Sequence, residues 1–287
     1  MPPTEGGGRE INMKVCVITG GGSGMGLEAA RAMPNDRIFL LSGRTQSRLE
    51  RAAERLKAEG KQAYVMTCDT SDRKQVHKLA RYAATLGDVT NVIHAAGLSP
   101  SMADPEKLLR VNALGTVYVN REFAKVMKQG VIVDISSNSA YQLPKLMIPQ
   151  KTYSLAEKHE QAFLDKLLRM CRLVKDSYKS AGLAYALSKN FAVWYAKKSA
   201  FELGSRGIRV CSLSPGLIAT DMGEREKGEG AAMLDYTAEK RMGTPEELGF
   251  AIAMAADERN GYLAGVDILV DGGSVNGKEY KSIIFSS

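Results

Sequence analysis

The chain has 287 residues, of which 44% are hydrophobic and 25% charged, and its formal net charge is +7. This composition is typical of a globular protein long enough to bury about three quarters of its unfolded surface in one core. It argues against a disordered, collagen-like or membrane-spanning chain, since no hydrophobic run approaches the roughly 18 residues of a transmembrane helix. The first residues lack the hydrophobic stretch of a signal peptide, so we expect a soluble, cytoplasmic protein.

The positive charge by itself favours an anionic partner such as nucleic acid or a membrane surface. Its distribution argues otherwise, because residues 142–183 hold eight basic and four acidic side chains, or +4 of the surplus, on what should be a solvated helix face. We expect a small-molecule substrate, with neither nucleic acid nor membrane as a partner. The four cysteines form no C-x-x-C pair and the three histidines stand apart, so buried reduced thiols and no metal site are expected.

Short hydrophobic runs alternate with helical patterns along most of the chain. Residues 1–12, with three consecutive glycines, predict a flexible tail before a single domain over 13–287. The runs that predict strands are 15–19, 38–41, 63–68, 92–96, 131–136, 209–215 and 267–272. Helical patterns lie at 27–33, 45–58, 71–85, 113–127, 185–203 and 245–255. Because the strand runs are hydrophobic throughout, both faces should be buried, which indicates an α/β fold with a doubly wound parallel sheet.

The segment 142–183 interrupts this alternation and has no strand pattern. Six of its residues repeat at the spacing of one helix face: Leu155, His159, Phe163, Leu167, Met170 and Val174. This predicts a helical insertion that covers the core, lines a ligand cleft or mediates a subunit contact. Residues 221–242, rich in glycine, methionine and charge, predict a mobile lid over the substrate. Residues 274–287 are either a loose tail or a packed arm.

A glycine-rich loop, T-G-G-G-S-G-M-G at 19–26, follows the first predicted strand and precedes a helix. Residues without a Cβ atom allow a tight turn and let backbone N–H groups approach a pyrophosphate at the positive end of the helix. In this position the loop predicts dinucleotide binding and a Rossmann-like sheet. Its binding residues are expected to be Gly20, Gly22, Ser23, Gly24, Met25 and Gly26.

The T-G-x-x-x-G-x-G spacing resembles the short-chain dehydrogenase/reductase family, and further similarities extend over nearly the whole chain. H-A-A-G at 94–97 stands where the family has N-N-A-G. V-N-A-L-G at 111–115 is similar to its asparagine helix, I-S-S at 135–137 to its serine strand, and P-G-L-I-A-T at 215–220 to its nicotinamide-side motif. The resemblance implies further cofactor contacts at Asp69, Thr70, Ala95, Ala96, Gly97, Pro215, Gly216, Ile218 and Thr220. It also implies a homodimer or homotetramer.

The family's Y-x-x-x-K motif occurs three times, starting at Tyr141, Tyr185 and Tyr236. Pro144 disfavours helical geometry after Tyr141, and Tyr236 comes after the strand that should follow the catalytic helix. Tyr185 begins a predicted helix, so Lys189 shares its face one turn later. A lysine ammonium there would lower the pKa of the phenol, which could then donate or accept the proton that accompanies hydride transfer.

Two further catalytic residues follow from the resemblance. Ser137, rather than Ser136 or Ser139, would hydrogen-bond the substrate oxygen. Asn112 would hold a water in a proton path to Lys189. The separation of Ser137 and Tyr185 is much longer than is usual in the family, and the excess corresponds to the insertion at 142–183.

Cofactor preference in such folds is set at the end of the second strand, where a carboxylate favours NAD(H) and repels the 2′-phosphate of NADP(H). Here the strand runs into S-G-R-T at 42–45, without an acid. Gly43 leaves room and Arg44 offers a planar partner for a phosphate, so NADP(H) is favoured over NAD(H).

The insertion before the catalytic tyrosine resembles the hydroxysteroid dehydrogenase/carbonyl reductase branch, whose substrates are bulky hydrophobic ketones and alcohols. We therefore expect an NADP(H)-dependent oxidoreductase of a steroid-like secondary alcohol or ketone. Two alternatives stay open. One is a reductase of a carrier- or coenzyme-bound ketone, for which the basic insertion could form an entrance. The other is a non-catalytic dinucleotide sensor, which the filled catalytic positions disfavour.

Overall fold

The computed structural model describes residues 13–223, 225 and 234–284. Within them, seven strands form one parallel sheet in the order β3-β2-β1-β4-β5-β6-β7, which confirms the doubly wound α/β prediction. The strands are β1 (Lys14–Thr19), β2 (Arg37–Gly43), β3 (Gln62–Thr67), β4 (Asp88–His94), β5 (Gly130–Ile135), β6 (Ile208–Pro215) and β7 (Asp267–Val270). Strand order reverses between β1 and β4, which opens a crevice at their carboxyl ends.

Helices cover both faces of the sheet. They are α1 (Gly24–Ala32), α2 (Gln46–Ala58), α3 (Arg73–Leu86), α4 (Pro105–Leu108), α5 (Gly115–Val126), α6 (Gln150–Tyr153), α7 (Glu160–Arg172), α8 (Ser177–Leu203), α9 (Pro245–Ala255) and α10 (Ser274–Ile284). One hydrophobic core lies between the sheet and α3, α5, α7 and α8. A second lies between the sheet and α1, α2 and α9. That 13–287 is a single domain stays a prediction.

Local capping explains where two helices begin. The Asp176 carboxylate accepts the Lys179 N–H, so α8 starts at Ser177 rather than at the predicted residue 185, and Tyr185 lies well inside the helix. At α9, Thr244 and Glu247 exchange hydrogen bonds with each other's backbone N–H, a capping box behind Pro245. The predicted start of α9 is confirmed.

The expectation that every strand is buried on both faces is wrong for the two edge strands. In β3, Gln62, Tyr64 and Thr67 are exposed, and β7 is only partly buried along its whole length. Each of these strands pairs with one neighbour in the described sheet, so less of its surface is covered.

The insertion is helical, as predicted, and four of the six predicted face residues pack on the core: Leu155, Phe163, Leu167 and Met170. The helix α7 begins only at Glu160, so Leu155 and His159 precede it and His159 is exposed. The residues that α7 buries are Phe163, Leu164, Leu167, Leu168 and Cys171. They join the core against α8, where the Phe163 and Phe191 rings lie 5.1 Å apart. Of the alternatives left open, the insertion covers the core.

The described end of the chain is a packed helix. The Asp271 carboxylate accepts the N–H groups of Gly273 and Val275 and the Ser274 hydroxyl at the start of α10. Gly277 of α10 packs directly on the backbone of Tyr236. The tail at 1–12, and residues 224 and 226–233 of the predicted lid, lie outside the described residues. No helix in the described part has the length and hydrophobicity to cross a membrane.

Candidate functional site

A cavity of about 580 Å³ lies at the carboxyl ends of the strands, beside the glycine loop. Its wall contains backbone and side chains from the ends of β1, β2, β3 and β4 and from the segment after β6. The predicted cofactor residues that line it are Gly20, Gly22, Ser23, Gly24, Met25, Gly26, Gly43, Arg44, Asp69, Thr70, Ala95, Ala96, Gly97 and Thr220. This grouping is what a dinucleotide site at the reversal point of a doubly wound sheet requires.

The glycine loop forms a cradle that only glycine can build. Gly20 has φ +70°, and a Cβ there would lie 2.8 Å from the backbone of Ala95 and Ala96. The loop backbone therefore packs directly against the end of β4 and runs into the first N–H groups of α1 at Gly24. Free N–H groups and the positive helix end suit an anionic pyrophosphate. The described residues fit the phosphates of a dinucleotide.

His94, where the family has asparagine, supports this loop from within the sheet. Its Nδ1 lies 2.8 Å from the Thr19 hydroxyl, which also accepts the Ala96 N–H. Burial lowers the pKa of His94 to about 3, with the charge of Lys189 acting in the same direction. The imidazole is therefore a neutral structural link between β1 and the cavity wall.

Two of the predicted catalytic residues, Asn112 and Lys189, approach Gly97, which lines the cavity. A Cβ at Gly97 would lie 3.3 Å from Asn112 Oδ1 and 3.4 Å from Lys189 Nζ. Asn112 sits in a π-helical turn, Leu109–Leu114, and its amide exchanges two hydrogen bonds of 2.9 Å with the backbone of Leu98. Such turns often mark functional positions. The polar ends of Asn112 and Lys189 thus meet beside the cavity wall.

Tyr185 and Lys189 share one face of α8. The Lys189 Nζ lies 5.7 Å from the centre of the Tyr185 ring and donates a 2.9 Å hydrogen bond to the Ile135 carbonyl. Burial lowers the pKa of Lys189 to about 8, while the Asp134 carboxylate acts in the opposite direction. The Lys189 amine therefore has a lower pKa than a free lysine and lies beside the Tyr185 phenol.

The serines at the end of β5 have different partners. Ser136 is buried and donates its hydroxyl to the Lys189 carbonyl at 2.8 Å. The Ser137 hydroxyl accepts the Ser139 N–H at the start of a 3₁₀ turn, Asn138–Tyr141. This turn is tied to α8, because Asn190 donates to the Ala140 carbonyl at 2.9 Å. The Ser136 hydroxyl thus joins β5 to α8. Among the described residues, the Ser137 hydroxyl bonds only to Asn138 and Ser139 of the turn.

Several predicted residues do not line the described cavity. The four predicted catalytic residues, Asn112, Ser137, Tyr185 and Lys189, are not among its lining residues. The nicotinamide-side residues are also set back: Pro215, Gly216 and Ile218. Of these, Ile218 belongs to the second core, and Gly216 packs on Asp271, where a Cβ would lie 2.7 Å from the Asp271 Cα.

The two other Y-x-x-x-K motifs are not helical. Tyr141 lies in the 3₁₀ turn and donates to the Asp267 carboxylate at 2.5 Å, and Tyr236 lies in a turn. Neither places its lysine one helical turn away on a common face, which agrees with the choice of Tyr185.

Some lining residues were missed by the sequence reasoning. Arg48 lies in the first turn of α2, and its position beside the end of β2 follows from the predicted helix at 45–58, so it could have been found. Six others lie inside motifs or segments that the sequence singles out: Thr45, Val111, Ala219, Asp221, Met222 and Arg225. The remaining lining residues depend on tertiary packing and give no local signal: Leu49, Cys68, Leu98, Met102 and Pro245.

A parallel sheet whose glycine-rich β1–α1 turn faces a cavity at the reversal point defines an α/β protein of the dinucleotide-binding class. Residues 14–154 match a family model described as short chain dehydrogenase, and residues 172–275 match one described as Enoyl-(Acyl carrier protein) reductase. The chain belongs to the short-chain dehydrogenase/reductase family. It is an oxidoreductase of the type that interconverts alcohols and ketones with a nicotinamide dinucleotide.

Individual relatives are similar to this chain over nearly the full length of both proteins. The chain is 29% identical to the short-chain dehydrogenase/reductase bsc3 of Alternaria brassicicola, covering 92% of this chain and 97% of that protein. It is 25% identical to 3beta-hydroxysteroid dehydrogenase 2 of Eggerthella lenta, covering 91% and 94%. A short chain dehydrogenase from Burkholderia cenocepacia, solved in complex with NADP, has a TM-score of 0.73 at 20% identity, covering 93% and 99%. The gap between the two family models, 155–171, falls on the insertion and most of α7.

Proposed function

We propose that this protein is an NADP(H)-dependent oxidoreductase that transfers a hydride between the nicotinamide and a secondary alcohol or ketone, with Tyr185 as general acid/base. The observation that carries this proposal is the meeting of Lys189 and Asn112 beside Gly97 at the cavity, with Tyr185 on the same face of α8. Bound dinucleotide would supply or accept the hydride, and the chain's own residues would manage the proton.

The proton chemistry follows from the pairing on α8. The Lys189 ammonium favours the charged form of the Tyr185 phenol, whose unperturbed pKa is about 10. In reduction the phenol gives its proton to the developing alkoxide, and in oxidation the phenolate removes the alcohol proton. Ser137 is proposed to donate its hydroxyl to the substrate oxygen, since Ser136 is occupied by the Lys189 carbonyl. Asn112 is proposed to hold the water that links Lys189 to solvent.

NADP(H) is proposed as the preferred dinucleotide, with its phosphates on the glycine loop and its 2′-phosphate beside Arg44. Arg44 and Arg48 both line the cavity next to Gly43, and the lining residues between Gly43 and Leu49 include no acid. The remaining predicted contacts would follow the wall from Asp69 and Thr70 to Gly97 and then to Thr220. Pro215, Gly216 and Ile218 are proposed to act as the packed base of the nicotinamide side.

The substrate is proposed to be a bulky hydrophobic, steroid-like alcohol or ketone. Hydrophobic side chains border the cavity near Gly97, namely Leu98, Met102, Val111 and Met222, and one relative is named as a 3beta-hydroxysteroid dehydrogenase. The predicted lid at 221–242 would cover this side. A carrier- or coenzyme-bound ketone is the second candidate, because the cavity border also includes Arg225 and the insertion is basic.

Turnover tests the chemistry directly. Ketones and alcohols, among them steroids, simple diketones and coenzyme A thioesters, are offered with NADPH and NADP, and cofactor absorbance is followed. Tyr185→Phe should lower kcat by about 10²- to 10⁴-fold because the proton donor is lost, with NADPH affinity nearly unchanged. Tyr82→Phe, at an exposed tyrosine of α3 outside the cavity wall, is the matched control and should retain turnover. Undiminished activity in Tyr185→Phe would refute the mechanism, and NADPH binding without turnover of any compound would favour the sensor.

We also propose a cytoplasmic homo-oligomer, a homodimer or homotetramer. Its support is the open edge of β7 and the exposed hydrophobic side chains on and near α9, namely Phe250, Met254, Tyr262 and Val266. A monomeric mass by light scattering at micromolar concentration would contradict it.

A further inference from the structure

The register of the sheet places a row of polar side chains on the face covered by α5 and α8. Thr19 pairs with His94, His94 with Asp134, and Asp134 with Ser212. Laterally paired residues of a parallel sheet point to the same face, and all four side chains are buried. Ser212 pairs in turn with Asp267 of β7 and donates its hydroxyl to that carboxylate, so the row holds two acids, Asp134 near its centre and Asp267 at its end. A carboxyl group in this position needs partners, because burial of an unpaired charge is costly.

On one side, α5 supplies a donor to Asp134. The Asn120 Nδ2 lies 2.9 and 3.0 Å from the two carboxylate oxygens and also donates to the Thr116 carbonyl at 3.0 Å. Its own Oδ1 is buried without a hydrogen-bond partner among the described residues. The reverse amide orientation would place an oxygen against three acceptors. Asn120 is therefore fixed as a donor, which stabilises the charged form of Asp134.

On the other side, the positive charge is Lys189. Its Nζ is bonded to the carbonyl of Ile135, the residue that follows Asp134 on β5. Burial raises the pKa of Asp134 to about 7, an effect that Asn120 and Lys189 counteract. Burial lowers the pKa of Lys189 to about 8, which Asp134 counteracts in turn. Each charge thus favours the ionised state of the other.

Three other titratable groups, one each from β4, β6 and α8, carry no charge near neutral pH. From β4, His94 is held neutral by burial, with a pKa of about 3. From β6, burial raises the pKa of Cys211 to about 12. From α8, burial and the bond to Glu157 raise the pKa of Tyr195 far above its usual range.

Farther along α5, the carboxylate of Glu122 binds a different set of side chains, the cations Arg73 and Lys125 and the imidazole of His77. Within the described residues, Lys189 thus supplies the positive charge that favours the ionised form of Asp134.

We propose that Asp134 is a positioning residue for the reaction: its carboxylate, oriented by Asn120, keeps Lys189 protonated beside Tyr185. Asp134 acts through Lys189 and touches neither substrate nor cofactor. The proposal rests on the proposed roles of Tyr185 and Lys189. Without the carboxylate, the buried ammonium loses its counter-charge and releases its proton more readily. The Tyr185 phenol then loses the cation that favours its charged form, and alcohol oxidation requires a higher pH.

The test is the pH profile of kcat/KM for alcohol oxidation at saturating NADP. In Asp134→Asn, which preserves the side-chain shape, the acidic limb should move upward by about one unit, which is about a tenfold loss of rate below the limb, with a similar high-pH plateau. Asn120→Ala keeps the carboxyl group but removes its donor, so the limb should move in the same direction by less. An unchanged or downward-shifted limb in both variants overturns the proposal. Should Asp134→Asn not fold, Asn120→Ala decides alone.

Two further variants separate the possible failures. Glu122→Gln removes another buried carboxylate, on the same helix as Asn120, and should leave the limb in place; thermal unfolding and NADPH titration establish that each variant is folded. Retained turnover in Tyr185→Phe would mean that the proposed function itself is wrong. Loss of turnover in Tyr185→Phe together with an unmoved limb in both Asp134→Asn and Asn120→Ala would remove only the role of Asp134.

Discussion

Two arginines stand at the end of the cavity that is expected to receive the adenosine half of the cofactor. Arg44 follows Gly43 at the end of β2, and Arg48 lies one turn later in α2, where its Cβ is 3.4 Å from the position a Gly22 Cβ would take. A 2′-phosphate between them would gain charge-assisted hydrogen bonds, which are about twice as strong as neutral ones. A ribose hydroxyl would gain little from either guanidinium.

Removal of Arg44 should therefore act on one cofactor only. For Arg44→Ala we expect kcat/KM with NADPH to fall about 10- to 100-fold, the loss of a charged hydrogen bond worth roughly 1.5–3 kcal/mol, with little change for NADH. Arg48→Ala should show a smaller loss of the same kind. Arg51→Ala, on α2 but outside the cavity wall, is the control and should leave the ratio of the two cofactors unchanged. Equal losses with both cofactors would argue that Arg44 does not contact a 2′-phosphate.

Close packing of α1 on α9 fixes the helix that carries the glycine loop. Gly249 of α9 approaches α1 so closely that a Cβ would lie 2.5 Å from the carbonyl carbon of Glu28. Backbone atoms cannot turn aside as a side chain can, so the two helices would have to separate. In contrast, a Cβ at Gly182 of α8 would have no atom within 4 Å.

The two glycines should thus respond oppositely to the same substitution. Gly249→Ala should lower the free energy of unfolding by about 1–3 kcal/mol or more through overpacking. Gly182→Ala should raise it by about 0.5–1 kcal/mol, because alanine is the better helix former and the site is open. Urea titration monitored by circular dichroism measures both. A destabilised Gly182→Ala, or an unaffected Gly249→Ala, would mean that the helix contacts differ from those described.

Elements with a strong local signal were predictable, and their ends and partners less so. The strand runs and the α9 start, with Thr244, Pro245 and Glu247, carry their own periodicity and capping chemistry. The sequence pattern predicts the start of α8 at residue 185, whereas Asp176 caps the helix at Ser177. No strand precedes this cap in the segment 142–183, so no change of periodicity marks the boundary. The core-facing residues Phe163, Leu167 and Met170 of α7 follow from the four-residue spacing, whereas His159 breaks the pattern because it precedes the helix and is exposed.

One carboxylate of the insertion, that of Glu157, bonds to both of the helices that the insertion covers. Glu157 accepts hydrogen bonds from Tyr195 and Lys198 of α8 and from Arg121 of α5. Burial opposes ionisation of Glu157, but these donors outweigh it and lower its pKa. The helices α5 and α8, which carry Asn120 and Lys189, are therefore bridged by Glu157 of the segment 142–183.

At the scale of the whole molecule, topology explains which parts of the site could be predicted. Residues at the carboxyl ends of parallel strands converge by necessity, so the cavity wall from Gly20 to Gly97 followed from the strand order. The position of Lys189 near Asp134 depends on how α8 packs on β5, where the Lys189 Nζ bonds to the Ile135 carbonyl. The sequence has no local pattern that predicts this contact. From the sequence, His94 is only a departure from the family pattern. Its bond to Thr19 follows from the β1–β4 register, which the sequence does not give.

Acid stability is a property of the whole chain that one buried carboxylate should influence strongly. Glu122, only 2% exposed, joins α5 to α3 through Arg73 and His77 and also binds Lys125. Burial opposes its ionisation, but the bonds to Lys125, His77 and Arg73 prevail and lower its pKa to about 2, from about 4.5 in the unfolded chain. Since the folded pKa is the lower one, this group stabilises the fold above about pH 4.5, and its contribution is lost as the pH falls toward 2.

Glu122→Gln should therefore lower the free energy of unfolding by about 1–2 kcal/mol at pH 7, an amount reduced by the solvent exposure of its partners. The difference from the unmodified chain should narrow steadily between pH 5 and the acid limit of folding, because the carboxylate is progressively protonated in the unfolded state and then in the folded one. Urea titrations of both chains at pH 7, 5 and 4 measure this. Asp88→Asn, which removes an exposed ion pair with Lys128, should show a small and nearly constant difference. A Glu122→Gln difference that grows on acidification would contradict the assignment, since it would require the folded state to bind the proton more tightly than the unfolded chain.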